Sequence, residues 1–148
     1  MPEVFAFRPL QYGGGSGDVS AKVAPPYDVL DAGSKAALLA RDGENIVAVD
    51  LPHTPAKEVG PAEVYAGAAE TLSGWIESGV LTRRERPAMF AYRQTFEYRG
   101  ERHERCGMVC TLETVPLGKR DGGGVLPHEE TFSGPKADRL ALMKATAC

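Results

Sequence analysis

Apolar and polar positions follow two different rhythms along this chain. Phe90, Tyr92, Phe96 and Tyr98 alternate with Ala91, Arg93, Thr95 and Glu97, the period of two that predicts a strand with one face on a core. Arg99-Gly100 reads as its turn, and a return strand is expected from about Arg102 to Val115, with Met108, Cys110 and Leu112 on one side. Between Pro61 and Gly79 the rhythm changes. Tyr65, Ala69, Leu72 and Ile76 recur at i, i+4, i+7 and i+11, which predicts a helix with these four facing inward. Pro61 near its start and Gly79 past its end fit the usual asymmetry of helix termini. Trp75 flanks that face and is assigned to the core.

Shorter patterns complete the outline. VFAFRPL (Val4 to Leu10) reads as an opening strand stopped by Pro9, and NIVAVDL (Asn45 to Leu51) as a compact β-branched strand. SKAALLARD reads as a helix capped by Asp31. In KVAPPYDVLD, Pro25 and Pro26 forbid regular helix and hold Tyr27 and Asp28 on a stiff extended segment. The expected fold class is α+β, a mixed sheet with flanking helices, in one domain spanning residues 1–148.

Composition removes several functions. The 148 residues carry a net charge of −3, and the 17 Lys and Arg are scattered. Nucleic-acid binding is therefore not expected, because it requires a clustered basic face. The aromatic row from Phe90 to Tyr98 lacks interleaved Lys and Arg, so it reads as a core face and not as a base-stacking platform. No apolar run approaches the roughly 20 residues of a membrane span, and no signal-peptide pattern opens the chain. No membrane role is expected, and the cytoplasm is the expected compartment. Cys106, Cys110 and Cys148 form no disulfide framework. On one strand the Cα atoms of Cys106 and Cys110 would stand about 13 Å apart, so buried reduced thiols are expected. The Gly13–Gly17 run is followed by Asp18-Val19, not by the Gly-Lys-Ser/Thr of a phosphate loop, and reads as a connector.

VLPHEETFSGPKADRL (Val125 to Leu140) concentrates chemistry-bearing residues. Val125-Leu126 reads as a short strand delivering His128 and Glu129. Ser133 or Gly134 can cap a helix, Pro135 suits its first turn, and Leu140 and Met143 would face inward. Free N–H groups and the positive dipole end at such a start favour an anion. Lys136 in the first turn and Arg139 one turn on add cations where the dipole disfavours them, which points to phosphate. His128 is a candidate proton carrier, since an unperturbed histidine changes charge near neutrality, and Glu129 is a candidate base or Mg2+ ligand. The zinc-protease pattern is absent, because Phe132 occupies its second His position. His53, His103 and His128 lie too far apart to suggest a metal site. Against all this stands a plain surface, with Lys136, Asp138 and Arg139 forming exposed ion pairs of little value.

FRPL, KVAPPYDV, AAETLSGWIESGVL and LPHEETFSGPKADRLALMKAT together resemble a bacterial and archaeal family known as domain of unknown function 1015, over nearly the whole chain. The resemblance implies a ParB/sulfiredoxin-like fold, in which nucleotide phosphates sit at a helix N-terminus. Relatives of that fold include partition switches, sulfiredoxins and free-serine kinases, and family members tend to lie beside serine-biosynthesis genes. Sulfiredoxin chemistry needs a cysteine at the phosphate helix, and Ser133-Gly134-Pro135-Lys136 supplies none. Family chains run longer, so this one is expected to be C-terminally truncated. The expected activity is Mg2+-dependent phosphoryl transfer from ATP or ADP to a small hydroxyl substrate such as serine. Ser133, Gly134, Lys136 and Arg139 would hold phosphates, Glu129 or Asp28 would serve as base or Mg2+ ligand, and His128 would orient phosphate or substrate. The alternative is a non-catalytic nucleotide-sensing module that acts through a protein partner or as a homodimer.

Overall fold

The structure, a computed structural model, describes residues 1–13, 17–119, 121, 123–127 and 129–147. In chain order its elements are β1 (Val4–Phe5), β2 (Leu10–Tyr12), a 3-10 turn (Tyr27–Val29), α1 (Ala32–Arg41), α2 (Val47–Asp50), α3 (Ala62–Glu77), β3 (Leu81–Arg83), β4 (Phe90–Tyr98), β5 (Glu101–Val109), β6 (Thr111–Leu112) and α4 (Ser133–Thr146). The class is α+β. The expected mixed sheet is replaced, among the described residues, by three separate two-stranded sheets, β1–β6, β2–β3 and β4–β5. The chain divides into two compact units, Met1–Leu10 with Arg83–Glu129, and Gln11–Thr82 with Glu130–Cys148.

The first unit is built on the β4–β5 hairpin. Its strands pair antiparallel from Phe90↔Val109 to Tyr98↔Glu101, closed by Arg99 and Gly100 at φ 53° and 79°. Two central residues with positive φ match the tight turn that suits the twist of paired strands. The return strand ends at Val109 and is followed by β6, which pairs antiparallel with β1. The aromatic row does not face a core. Phe90 meets Phe7 edge to face at 5.7 Å, but Tyr92, Phe96 and Tyr98 are 48%, 42% and 56% exposed. A period of two reports the pleat and leaves open whether a second layer covers it. Cys106 is exposed and Cys110 half-buried, both as free thiols, so the expected burial of these thiols is not met. Cys148 and residues 14–16 of the glycine run lie outside the described residues. Val125-Leu126, expected as a strand, is irregular; the Val125 carbonyl instead accepts the Gly118 N–H at 2.9 Å.

The second unit is helical, and α1 begins as expected, with Asp31 accepting the Ser34 N–H at 2.7 Å. NIVAVDL is overturned as a strand, since Val47–Asp50 form α2. The cause is Asn45, fully buried. Its amide donates to the Ala21 and Val23 carbonyls at 2.7 and 2.9 Å, and its Oδ1 accepts the Val47 N–H at 3.0 Å. That anchor turns the backbone into a helical start, and local β-branched preference yields to tertiary context. Val47, Leu51 and Ala56 form one core, with Ala24, Tyr27, Leu30, Leu38 and Leu39 packed around it.

The α3 helix buries Tyr65, Ala68 and Leu72, while Ile76 is 42% exposed. Its inner face is thus rotated slightly from the expected one, and Ala69 and Trp75 are half-buried. Tyr65 and Ala68 pack on Leu142 of α4, whose inward residues are Asp138 and Leu142. Leu140 and Met143, expected inside, are 51% and 54% exposed. Residues two apart on a helix point about 200° apart, so drawing Asp138 inward sends Leu140 outward.

Candidate functional site

The start of α4 packs against the backbone of Lys57 and Glu58. A Cβ at Gly134 would stand 2.0 Å from the Lys57 carbonyl oxygen, so only glycine lets the helix begin there. The expected Ser133 or Gly134 cap is not formed. Phe132 is the N-cap, extended at φ −66° and ψ 145°, and no side chain caps the helix. The Lys136 N–H donates to the Phe132 carbonyl at 3.3 Å, leaving the N–H groups of Ser133 and Gly134 with no carbonyl in their own helix. Ser133 and Lys136 are exposed.

One turn further in, Asp138 is fully buried and serves as the hub of a polar cluster. Its Oδ1 accepts the Tyr65 hydroxyl at 2.6 Å and His53 Nε2–H at 2.7 Å. Its Oδ2 accepts Arg139 Nε–H and Nη2–H at 3.0 and 2.6 Å. Burial pushes its pKa up, but hydrogen bonds from Tyr65, Arg139 and His53 outweigh it and hold the carboxyl below the ordinary range. Tyr65 is raised above an ordinary phenol by burial and by its bond to Asp138. The Tyr65 oxygen also accepts the Gly60 N–H at 2.7 Å, tying the loop before α3 to the hub.

Arg139 extends the cluster to two more elements. Its Nη1 donates to the Asp50 carbonyl and, at 3.3 Å, to Asp50 Oδ1. Its guanidinium lies 4.2 Å above the Tyr27 ring centroid, a cation–π arrangement. Tyr27 and Asp28, expected on an extended segment, instead begin a 3-10 turn after the extended Pro26, and Arg139 packs on Tyr27 there. With His53 Nε2–H committed to a carboxylate, the neutral ring keeps its Nδ1 lone pair as an acceptor. That is the orientation a carboxylate imposes on a general-base histidine.

Of the residues singled out in the sequence, Ser133, Gly134, Lys136 and Arg139 lie together on the first two turns of α4. Asp28 is exposed beside Tyr27. Glu129 is exposed and closes the first unit, and His128 lies outside the described residues. Asp138 is the hub of the site and not a surface ion-pair partner. His53, Tyr65 and Asp50 were not singled out. Nothing local marks His53, because its partner Asp138 lies 85 residues away, and Tyr65 sits at a position that reads as apolar core. Among the described residues no three His, Cys, Asp or Glu gather into a metal-binding group, and no helix is long and apolar enough to cross a membrane.

The family model described as "Protein of unknown function (DUF1015)" matches residues 4–148. No curated protein and no solved structure matches the chain.

Proposed function

We propose a function for this chain, which belongs to the DUF1015 family of proteins of unknown function: its second unit binds a nucleoside polyphosphate at the start of α4 and transfers a phosphoryl group to a small hydroxyl substrate. The observation that carries this reading is a helix start with no side-chain cap and an exposed Lys136 in its first turn. The helix dipole disfavours a cation there unless an anion joins it. Phosphoryl transfer asks the protein for positioning, charge neutralisation and an acceptor for the hydroxyl proton. The α4 amides and Lys136 are assigned to the phosphates, with Ser133 as an additional hydroxyl contact. His53, oriented by Asp138, is assigned as the proton acceptor, and Asp28 as the alternative. Mg2+ is commonly held by one or two carboxylates plus substrate phosphates. It would enter with the nucleotide, with Asp28 assigned as its carboxylate ligand, and would neutralise phosphate charge.

Free serine as acceptor, and the ParB/sulfiredoxin-like fold, belong to this proposal through the resemblance of LPHEETFSGPKADRL and KVAPPYDV. One observation favours binding without turnover. The Arg139 guanidinium is already engaged by Asp138, Asp50 and Tyr27, which leaves Lys136 as the exposed cation of the first two turns of α4. Product release with serine separates an enzyme from a nucleotide sensor.

The test is a thermal melt of the chain with ATP or ADP, each with Mg2+, beside Lys136→Ala. The expected result is a Tm raised by one nucleotide in the parent and at least tenfold weaker binding in the variant. A parent that no nucleotide stabilises, or a variant with unchanged affinity, overturns the site.

A further inference from the structure

The β4–β5 hairpin has nine residues in each strand, yet no third strand pairs with it among the described residues. Every residue of β5 except His103 is exposed. Long open edges present unpaired N–H and C=O groups and are templates for another strand.

The register identifies which groups point outward. In a hairpin closed by a two-residue turn with both φ positive, the closing pair, here Tyr98↔Glu101, exchanges backbone hydrogen bonds, and such pairs alternate along the ladder. Glu101, His103 and Arg105 therefore direct their backbone groups to β4. Arg102, Glu104 and Cys106 direct theirs to the open edge.

The side chains along that edge read Glu101-Arg102-His103-Glu104-Arg105, a run whose charges invert when it is read backwards. We propose that β5 pairs antiparallel with β5 of a second copy, about a two-fold axis through His103. In that register Arg102 faces Glu104 of the second copy, Glu101 faces Arg105, and both pairs recur by symmetry. The outward backbone groups of Arg102 and Glu104 meet each other, so the hydrogen-bonded ladder continues across the axis.

The neighbouring registers fail. An axis through Arg102 sets Arg102 against itself, and one through Glu104 sets Glu104 against itself, and like charges directly opposite repel. An axis between two residues pairs outward backbone groups with inward ones and breaks the ladder. The outer edge of β4 is a weaker template, since Arg93 and Glu97 are its only charges.

Contacts within one copy leave the run available. Arg105 Nη2 donates to Gln94 Oε1 at 2.6 Å, and Arg93 Nε stands 3.7 Å from Glu104 with both side chains more than half exposed. Each guanidinium and carboxylate retains further donors or acceptors. The product is a four-stranded sheet. His103, stacked on Phe96 at 5.6 Å, meets its counterpart at the centre, and Tyr92, Phe96 and Tyr98 of both copies share one face.

The test measures mass in solution by sedimentation for the 148-residue chain, R105E and E101R/R105E. The parent is expected to be a dimer, R105E to dimerise at least tenfold more weakly, and the double variant to recover. Both variants lose the Gln94 bond, so recovery in the second isolates the contact between copies. As an independent check, H103C with Cys106, Cys110 and Cys148 replaced by Ser is expected to form an interchain disulfide, because non-hydrogen-bonded pairs bring Cα atoms to about 4.5 Å. A monomer at every concentration overturns the proposal. So does a dimer that ignores both charge variants and yields no H103C cross-link.

Discussion

Asp138 shows how far one side chain departs from what its neighbours in sequence suggest. Flanked by Lys136 and Arg139, it reads as part of an exposed charged helix start, yet it is fully buried and accepts from three residues. Removing one partner of a buried ion pair strands the other. Asp138→Asn keeps the shape but turns an amide toward groups that are all donors, and leaves Arg139 short of its carboxylate. The expected loss is about 3–5 kcal/mol. Tyr65→Phe leaves the Gly60 N–H and one Asp138 lone pair unsatisfied, at about 1–3 kcal/mol. Urea denaturation of both variants checks the order. An Asn variant no less stable than the Phe variant would mean that Asp138 is not the hub of this cluster.

At the scale of elements, legibility follows the range of the forces that decide each one. The α3 helix and the turn of the β4–β5 hairpin are set by periodicity and by Pro61, Gly79 and Gly100, all local, and both appear where expected. The return strand, by contrast, stops at Val109, short of the expected Val115. The α2 segment is set by Asn45 reaching back to Ala21 and Val23, a contact that no local pattern in NIVAVDL announces. The inner face of α4 is set by His53 and Tyr65, also distant in sequence. This difference has a measurable form. Asp31→Ala removes one exposed cap bond and is expected to cost about 1 kcal/mol. Asn45→Ala strands two carbonyls and one N–H around a buried site, at about 2–4 kcal/mol, taking about 1 kcal/mol or more for each broken bond. Chemical denaturation of the two variants tests this, and equal losses would refute the account of α2.

Across the whole molecule, the candidate site was half legible. Lys136 and the glycine-bearing helix start could be read from SGPK, whereas His53 and the hub role of Asp138 depend on a fold that brings residues 53, 65 and 138 together. That convergence also governs how the chain responds to acid. Asp138 has its folded-state pKa depressed, so its contribution is fully present above the unfolded value of about 3.9. It disappears as pH falls through the lower folded value. Asp31 and Asp42 are also depressed, mainly by backbone hydrogen bonds from Ser34 and Glu44, but both are solvent-screened and common to parent and variant. Both therefore cancel in the stability gap between the parent and Asp138→Asn. Tyr65, raised by burial, would begin to lose its share only above about pH 10. The gap is expected to narrow below about pH 4. Urea titrations at about pH 3, 5 and 7 measure it directly. A gap at pH 3 as wide as at pH 7 would show that the Asp138 carboxyl is not held ionised by Tyr65, His53 and Arg139, and would remove the basis for an oriented His53.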